Sequence, residues 1–265
     1  MLPVLSADCV TKEFVVGGRQ RLVAVRDLSL AVHEGEFVCV VGASGCGKST
    51  LLNIFAGFIR PSSGRALLHG EPILGIEPRC GVMFQSYALF PWKTVRGNVE
   101  FGLKMQGVPA AERRRRAEQF IGLVKLSGFE DRYPGELSGG MQQRVSLARI
   151  LAANPEVLLM DEPFGALDAM TRQVLQEELL LIHEHSRKTT LFITHNIDEA
   201  LILADRIVVM SARPGRVKAE LCNTLPRPRH IDIQLSPDYA RLKSTVWSHV
   251  EQELLRQMEA AVSLA

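Results

Sequence analysis

Apolar positions follow two different rhythms along this chain. Over residues 22–32 they alternate with polar ones, with Val23 and Val25 followed by Leu28, Leu30 and Val32. That period predicts a half-buried strand in an antiparallel lobe near the start. Residues 37–41 (Phe-Val-Cys-Val-Val) instead form an unbroken apolar run between Gly35 and Gly42, the mark of a strand buried on both faces. Residues 157–160, 191–193 and 207–210 repeat it. Helical patterns lie between these runs, so βα units and a parallel sheet are predicted.

The middle, about 89–151, changes character: Ala117, Phe120, Ile121 and Val124 recur at helical spacing and no convincing strand interrupts them. It reads as a helical insertion within a domain covering residues 1–230. Pro226 and Pro228 then break the chain, and Leu242, Val246, Val250 and Leu254 recur every four residues. Residues 231–265 are therefore expected to form a helical tail. Arg113 to Arg116 point around a helix rather than along one side, so a solvated surface is expected there. His183 and His185, two apart on a helix, point away from each other and are expected in solvent.

Composition narrows the class only a little. With 46% hydrophobic and 23% charged residues over 265 positions, one ordinary folded core is expected. A net charge of +2 gives no reason to expect nucleic acid as a partner. The five cysteines are widely spaced and form no Cys-x-x-Cys pair, which fits a reducing compartment rather than disulfides or zinc. The first ten residues lack the pattern of a secretory signal, and no run approaches the roughly 20 apolar residues of a bilayer span. Any service to a membrane is expected from its cytoplasmic side.

The chemistry begins at Gly42-Ala43-Ser44-Gly45-Cys46-Gly47-Lys48-Ser49-Thr50, a P-loop between a buried strand and the apolar helix start Leu51, Leu52, Ile54 and Phe55. The glycines let backbone N–H groups curl around phosphate oxygens at a helix N-terminus. Lys48 adds positive charge, Ser49 offers a hydroxyl to Mg²⁺, and Cys46 reads as a small filler. Asp161 and Glu162 end another buried strand, where open α/β sheets put their ligands. Asp161 would hold the metal, and Glu162 would orient or deprotonate the water attacking the γ-phosphate of ATP. These two motifs leave kinases, GTPases, helicases and transport ATPases open.

Leu137-Ser138-Gly139-Gly140-Met141-Gln142-Gln143-Arg144 closely resembles the signature of ABC ATPases. Read physically, Ser138 and two glycines opening a helix form a second phosphate site. The resemblance runs over about residues 4–217 and carries further positions with it. It implies that Gln85 touches Mg²⁺ and links the site to a permease, and that His195 contacts the γ-phosphate. Asp168, in Ala166-Leu167-Asp168, would lie at a dimer interface, and Phe14 would stack on adenine. Ser138, Gly139, Gly140 and Gln142 would face a nucleotide held by a second copy. Asn196 departs from the Asp usual after the histidine.

The fold this implies is α/β, a P-loop NTPase with a RecA-like parallel sheet core, an N-terminal antiparallel β lobe and a helical insertion. The catalytic set implied is Glu162, His195, Gln85 and Lys48, with Ser49, Gln85 and Asp161 around Mg²⁺. Segments 89–99, 164–172 and 210–216 resemble the nitrate, sulfonate and taurine importer branch. That branch implies a peripheral ATPase at the cytoplasmic face of the cell membrane. Its partners would be a second copy, transmembrane permease subunits and, indirectly, an extracytoplasmic solute-binding protein.

Overall fold

Alternation becomes an antiparallel lobe because each strand has one face to bury. Strands β1 (Leu5–Val16) and β2 (Gln20–Val32) pair antiparallel, Leu5 opposite Val32. In β2 four of the predicted inward residues, Val25, Leu28, Leu30 and Val32, are buried, and the fifth, Val23, is half-buried. Then follow β3 (Phe37–Val41), α1 (Lys48–Phe55), β4 (Ser63–Leu68), β5 (Glu71–Pro72) and β6 (Cys80–Met83). Helices α2 (Val95–Met105), α3 (Ala110–Leu123) and α4 (Gly139–Ala152) lead to β7 (Val157–Asp161) and α5 (Ala169–Ser186). The chain continues through β8 (Thr189–Thr194), α6 (Ile197–Leu203), β9 (Arg206–Met210), β10 (Val217–Cys222) and α7 (Pro237–Val262). The computed structural model describes residues 2–17 and 20–262. These divide into two compact units, residues 1–77 with 183–265, and residues 78–182.

In the first unit β2, β1, β4 and β5 form one sheet, in that order. Strands β10, β9, β3 and β8 stand side by side in another, with β3 parallel to both β8 and β9. All five residues of β3 and all six of β8 are buried, as continuous apolar runs require. Phe37, Phe55, Phe192, Leu51 and Leu52 are among the fully buried side chains. Each such side chain contributes about 1.5–3 kcal/mol relative to exposure.

The tail forms one helix whose Val246 and Val250 are buried and whose Leu242 and Leu254 are half-buried. It packs on α6 and β9. Tyr239 donates its hydroxyl to Asp198 Oδ1 at 2.5 Å. Glu253, 3% exposed, meets Lys218 Nζ at 2.8 Å, Arg256 Nη1 at 2.9 Å and the Ala212 N–H at 2.9 Å. Burial alone would raise its pKa, but these partners outweigh burial and hold the carboxyl below its usual range.

The expectation for His183 fails. It is 2% exposed, meets the Phe37 ring edge-on with centroids 5.1 Å apart, and lies 3.8 Å from Asp205 Oδ2 through Nε2. Position 183 stands four residues after Leu179 and eight after Leu175 on α5, and both leucines are buried, so the imidazole continues an apolar stripe. His185 is exposed, as expected.

The second unit pairs β6 with β7 in parallel, Met83 opposite Met160. Helices α2, α3 and α4 pack on one another and bury Val99, Leu103, Ala117, Ile121, Val145 and Ala148. Thr94 caps α2 by accepting the Gly97 N–H at 3.1 Å. Of the arginine run, Arg115 and Arg116 pair with Glu112, and Arg114 with Glu118. Arg113 turns back to the Val108 carbonyl at 2.8 Å. Among the described residues no helix is long and apolar enough to cross a membrane.

Candidate functional site

The predicted site residues fall in both units. In the first, the parallel strands β3 and β8 end together: Val41 is opposite Thr194, so Gly42 and His195 each follow a paired residue at the carboxyl end of the sheet. Ligands of open α/β sheets bind at that end. His195 is exposed there.

The loop after β3 curls because its glycines allow it. Gly47 has φ +102°, and a Cβ on it would lie 2.7 Å from Ala24 O and 2.9 Å from Val25 Cγ2. It is also the N-cap of α1 and supplies no side-chain acceptor, so the first-turn N–H groups of the helix suit an anion. Lys48, 5% exposed, folds into the loop and donates to Gly42 O at 2.8 Å and Ala43 O at 3.1 Å. A buried ammonium held by carbonyl dipoles is suited to phosphate oxygens. Ser44 and Ser49 are exposed, Thr50 is half-buried and Cys46 is buried.

Asn196 accepts the N–H groups of Asp198 and Glu199 at 2.9 and 3.4 Å, capping α6. Its departure from Asp therefore keeps the cap and removes a charge. Phe14 is half-buried on β1, opposite Leu22, and Lys12 Nζ stands 5.2 Å from its ring centroid. Gly18, four positions further along the sequence, lies outside the described residues.

In the second unit the end of a parallel pair again collects the chemistry. Gln85 lies two residues past Met83 and Glu162 two past Met160, and those methionines are opposite each other. A Cβ built on Gly165 would approach Gln85 Nε2 to 3.6 Å and Glu162 Cβ to 3.9 Å, so the three residues adjoin. Glu162 has φ +44°, a left-handed conformation that a side chain makes costly and that clusters at functional sites. The turn is closed by the Gly165 N–H on Glu162 O at 3.1 Å. Asp161 is half-buried at the end of β7.

Ser138 caps α4, with Oγ accepting the Met141 N–H at 3.3 Å. Gly139 is exposed and Gly140 half-buried; a Cβ on Gly140 would lie 2.7 Å from Thr171 Cγ2. The Gln142 amide turns back to Pro134 O at 3.0 Å and Leu137 O at 3.2 Å, bracing the loop before the helix. Asp168 caps the start of α5 through the Thr171 N–H at 3.0 Å, and that N–H with the Thr171 hydroxyl holds its carboxyl below the usual range.

Residues 87–94 are braced from two helices. From α4, Ser146 Oγ and Arg149 Nη2 both donate to Tyr87 O at 3.0 Å. From α2, Asn98, fully buried, accepts the Phe90 N–H at 2.9 Å and presents its amide nitrogen to the carbonyls of Phe90, Lys93 and Thr94 at 3.0–3.2 Å. The Phe90 ring packs on Phe101 and Trp92, and Trp92 is 71% exposed.

Two site-adjacent residues escaped the sequence reading. Arg213 donates from Nε and Nη2 to Gly45 O in the P-loop at 3.3 and 3.1 Å, and Gly215 lies against Cys46. Their signal was the Arg-Pro-Gly turn after β9, which resembled a family segment without suggesting a contact.

The profile described as ABC transporter matches residues 25–165. The chain is 44% identical over 254 residues to the nitrate import ATP-binding protein NrtD of Synechocystis sp., covering 94% of this chain and 96% of that one. It is 45% identical over 216 residues to the taurine import ATP-binding protein TauB of Roseobacter denitrificans, covering 82% and 81%. Among solved structures, a dimeric post-hydrolysis state of the ATP-binding cassette MJ0796 bound to ADP and Pi superposes with a TM-score of 0.75 at 32% identity, over 84% of this chain and all of that one. With a glycine-rich loop at the end of β3, an acidic pair at the end of β7 and relatives alike over nearly its whole length, the chain belongs to the ABC transporter family as an ATP-hydrolysing subunit with a P-loop α/β fold.

Proposed function

We propose that this ATPase drives import of a small solute with an anionic group, nitrate, a sulfonate or taurine, through separate permease subunits at the cytoplasmic face of a cell membrane. The observation that carries the ATP half is the Gly42 to Thr50 cradle with Lys48 folded into it. The import half rests on the names of the nitrate and taurine relatives.

Residues 1–230 act as the ATP-binding domain, with about 89–151 as its helical insertion and 231–265 as its tail. Lys48 and the N–H groups of the loop bind the phosphates. Phe14 offers its ring to adenine. Ser49, Gln85 and Asp161 supply oxygen donors of the kind Mg²⁺ takes, and the cation, when bound, neutralises charge on the β- and γ-phosphates. Glu162 orients and deprotonates the water whose oxygen bonds to the γ-phosphorus while the bond to the β–γ bridging oxygen breaks, releasing ADP and phosphate. His195 donates to the γ-phosphate and holds it for that attack.

Two copies close over two nucleotides, each adding Ser138, Gly139 and Gly140 to the other's site, with Gln142 bracing the signature loop and Asp168 at the interface. Loss of the bridging phosphate reopens the pair. Residues 87–92, beside Gln85, carry that motion to the permease, and the solute reaches it from an extracytoplasmic binding protein.

The test is ATP-dependent accumulation in proteoliposomes carrying the chain with its co-purified membrane partners, offered nitrate, taurine, an alkanesulfonate and, as a control, choline. Uptake of nitrate, taurine or the alkanesulfonate, without choline, supports the reading. Uptake of choline, or efflux, would overturn the cargo class or the direction.

A further inference from the structure

The connection between β9 and β10, residues 211–216, is closed on itself. The Ser211 N–H donates to Arg216 O at 2.9 Å, Ser211 Oγ donates to Pro214 O at 3.1 Å, and the Arg216 N–H returns to Ser211 Oγ at 3.0 Å. Such a turn keeps its shape and can transmit position.

It touches different neighbours on its two sides. Toward the P-loop, two N–H groups of the Arg213 guanidinium converge on Gly45 O at 3.1 and 3.3 Å. Gly215 is pinned to β2, its N–H on Ala24 O at 2.9 Å and its carbonyl accepting the Arg26 N–H at 3.0 Å. It comes so near the P-loop that a Cβ on it would lie 2.1 Å from Cys46 O. Toward the tail, the Ala212 N–H is held by Glu253 of α7 at 2.9 Å. Glu253 is itself fixed by burial, Lys218 and Arg256. Three consecutive links therefore join α7 to the phosphate loop.

The peptide joining Gly45 and Cys46 is planar, so its carbonyl and its N–H point in opposite directions. A guanidinium fixing the carbonyl on the outside of the loop sets where the Cys46 N–H aims. That N–H meets Ala43 O at 3.3 Å, a long contact that a phosphate oxygen can replace. Hydrogen bonds from an ionised donor are stronger than neutral ones, and two of them converge here, so Arg213 holds this carbonyl although its side chain is exposed.

Resting on the reading of Gly42 to Thr50 as an ATP phosphate cradle, we propose that Arg213 is a positioning residue for the cradle and that Glu253 couples the tail helix to it. Nucleotide affinity and the docking of α7 then depend on each other, since such coupling is reciprocal.

The experiment is MgATP titration calorimetry on the full chain, with an unfolding midpoint for every variant and ATPase kinetics alongside. Arg213→Ala is expected to weaken ATP binding about tenfold, with KM rising and kcat retained. Arg213→Lys recovers part of the loss because one charged donor still reaches Gly45 O. Glu253→Ala weakens binding in the same direction and by less, and combining it with Arg213→Ala adds little, because the link is already cut. Should Glu253→Ala fold poorly, hydrogen exchange of α7 serves instead: ATP slows it in the wild type and not in Arg213→Ala. If wild type binds ATP and Arg213→Ala binds equally well, even with a lowered midpoint, the positioning role is wrong. Additive losses in the double variant, or α7 exchange indifferent to ATP, refute the tail coupling. A wild type that does not bind ATP marks failure of the cradle reading, and this inference falls with it.

Discussion

Replacing Asn98 tests whether one buried amide holds the segment that carries motion outward. Its oxygen accepts one N–H and its two amide hydrogens are shared among three carbonyls, all on residues 90–94. Asn98→Ala removes three hydrogen bonds in a fully buried place, at about 1 kcal/mol each, so a loss of about 3 kcal/mol is expected. For a chain of this size that lowers the unfolding midpoint by roughly 6–12 °C. Asn98→Asp keeps the shape and the acceptor but turns a negative oxygen toward those carbonyls. Its folded-state pKa must then rise above the unfolded value of about 3.9. The penalty is full above the folded pKa, shrinks as pH falls through it and vanishes below the unfolded value, because a protonated Asp can donate again. Thermal unfolding followed by circular dichroism at pH 7.5 and pH 5 measures both variants against wild type. Asn98→Asp should be at least as damaging as Asn98→Ala at pH 7.5 and should recover toward wild type at pH 5. A shift under about 2 °C for Asn98→Ala, or an Asp variant indifferent to pH, would refute the reasoning.

Lys48→Ala should weaken nucleotide binding roughly 10- to 100-fold, from the loss of charge-assisted contacts to phosphate, as read by calorimetry; unchanged affinity would remove Lys48 from the cradle. Glu162→Gln should lower ATP turnover by about 10²–10⁴ while binding survives, because the P-loop is untouched; phosphate release at the wild-type rate would sink its role as base. For Asp205, burial opposes ionisation, but His183, the Phe37 N–H and Arg227 together hold its carboxyl well below the ordinary range. Its stabilising contribution is therefore present above the unfolded pKa of about 3.9 and lost as pH falls toward the folded value. Asp205→Asn should flatten the loss of stability below about pH 4, and urea midpoints that fall as steeply as in wild type would contradict this.

Strands β3, β7, β8 and β9 were legible because runs such as residues 37–41 leave no polar face, and only a strand covered on both sides accommodates that. The helical character of residues 89–151 and the tail helix were legible from spacing alone, as Ala117, Ile121, Val246 and Val250 turned inward. Membership of the ABC transporter family was legible because phosphate chemistry demands fixed residue types at fixed intervals. His183 was misread because spacing between two histidines says nothing of what each one faces; its neighbours Phe37, on β3, and Asp205, just before β9, are far away in sequence.

The chain's local patterns thus sufficed for the class of fold and the family, since both are carried by runs and motifs of residues adjacent in sequence. Three-dimensional geometry, near and far along the chain, settled which polar groups became structural. Gln142 and Asp168 turned their side chains to bracing and capping, and Asn98 became the hub of a loop. Arg213 reached a carbonyl 168 positions away. That last pair meets only when β3 and β9 lie side by side, because a hydrogen bond depends on distance and angle in space and no periodicity along the chain encodes either.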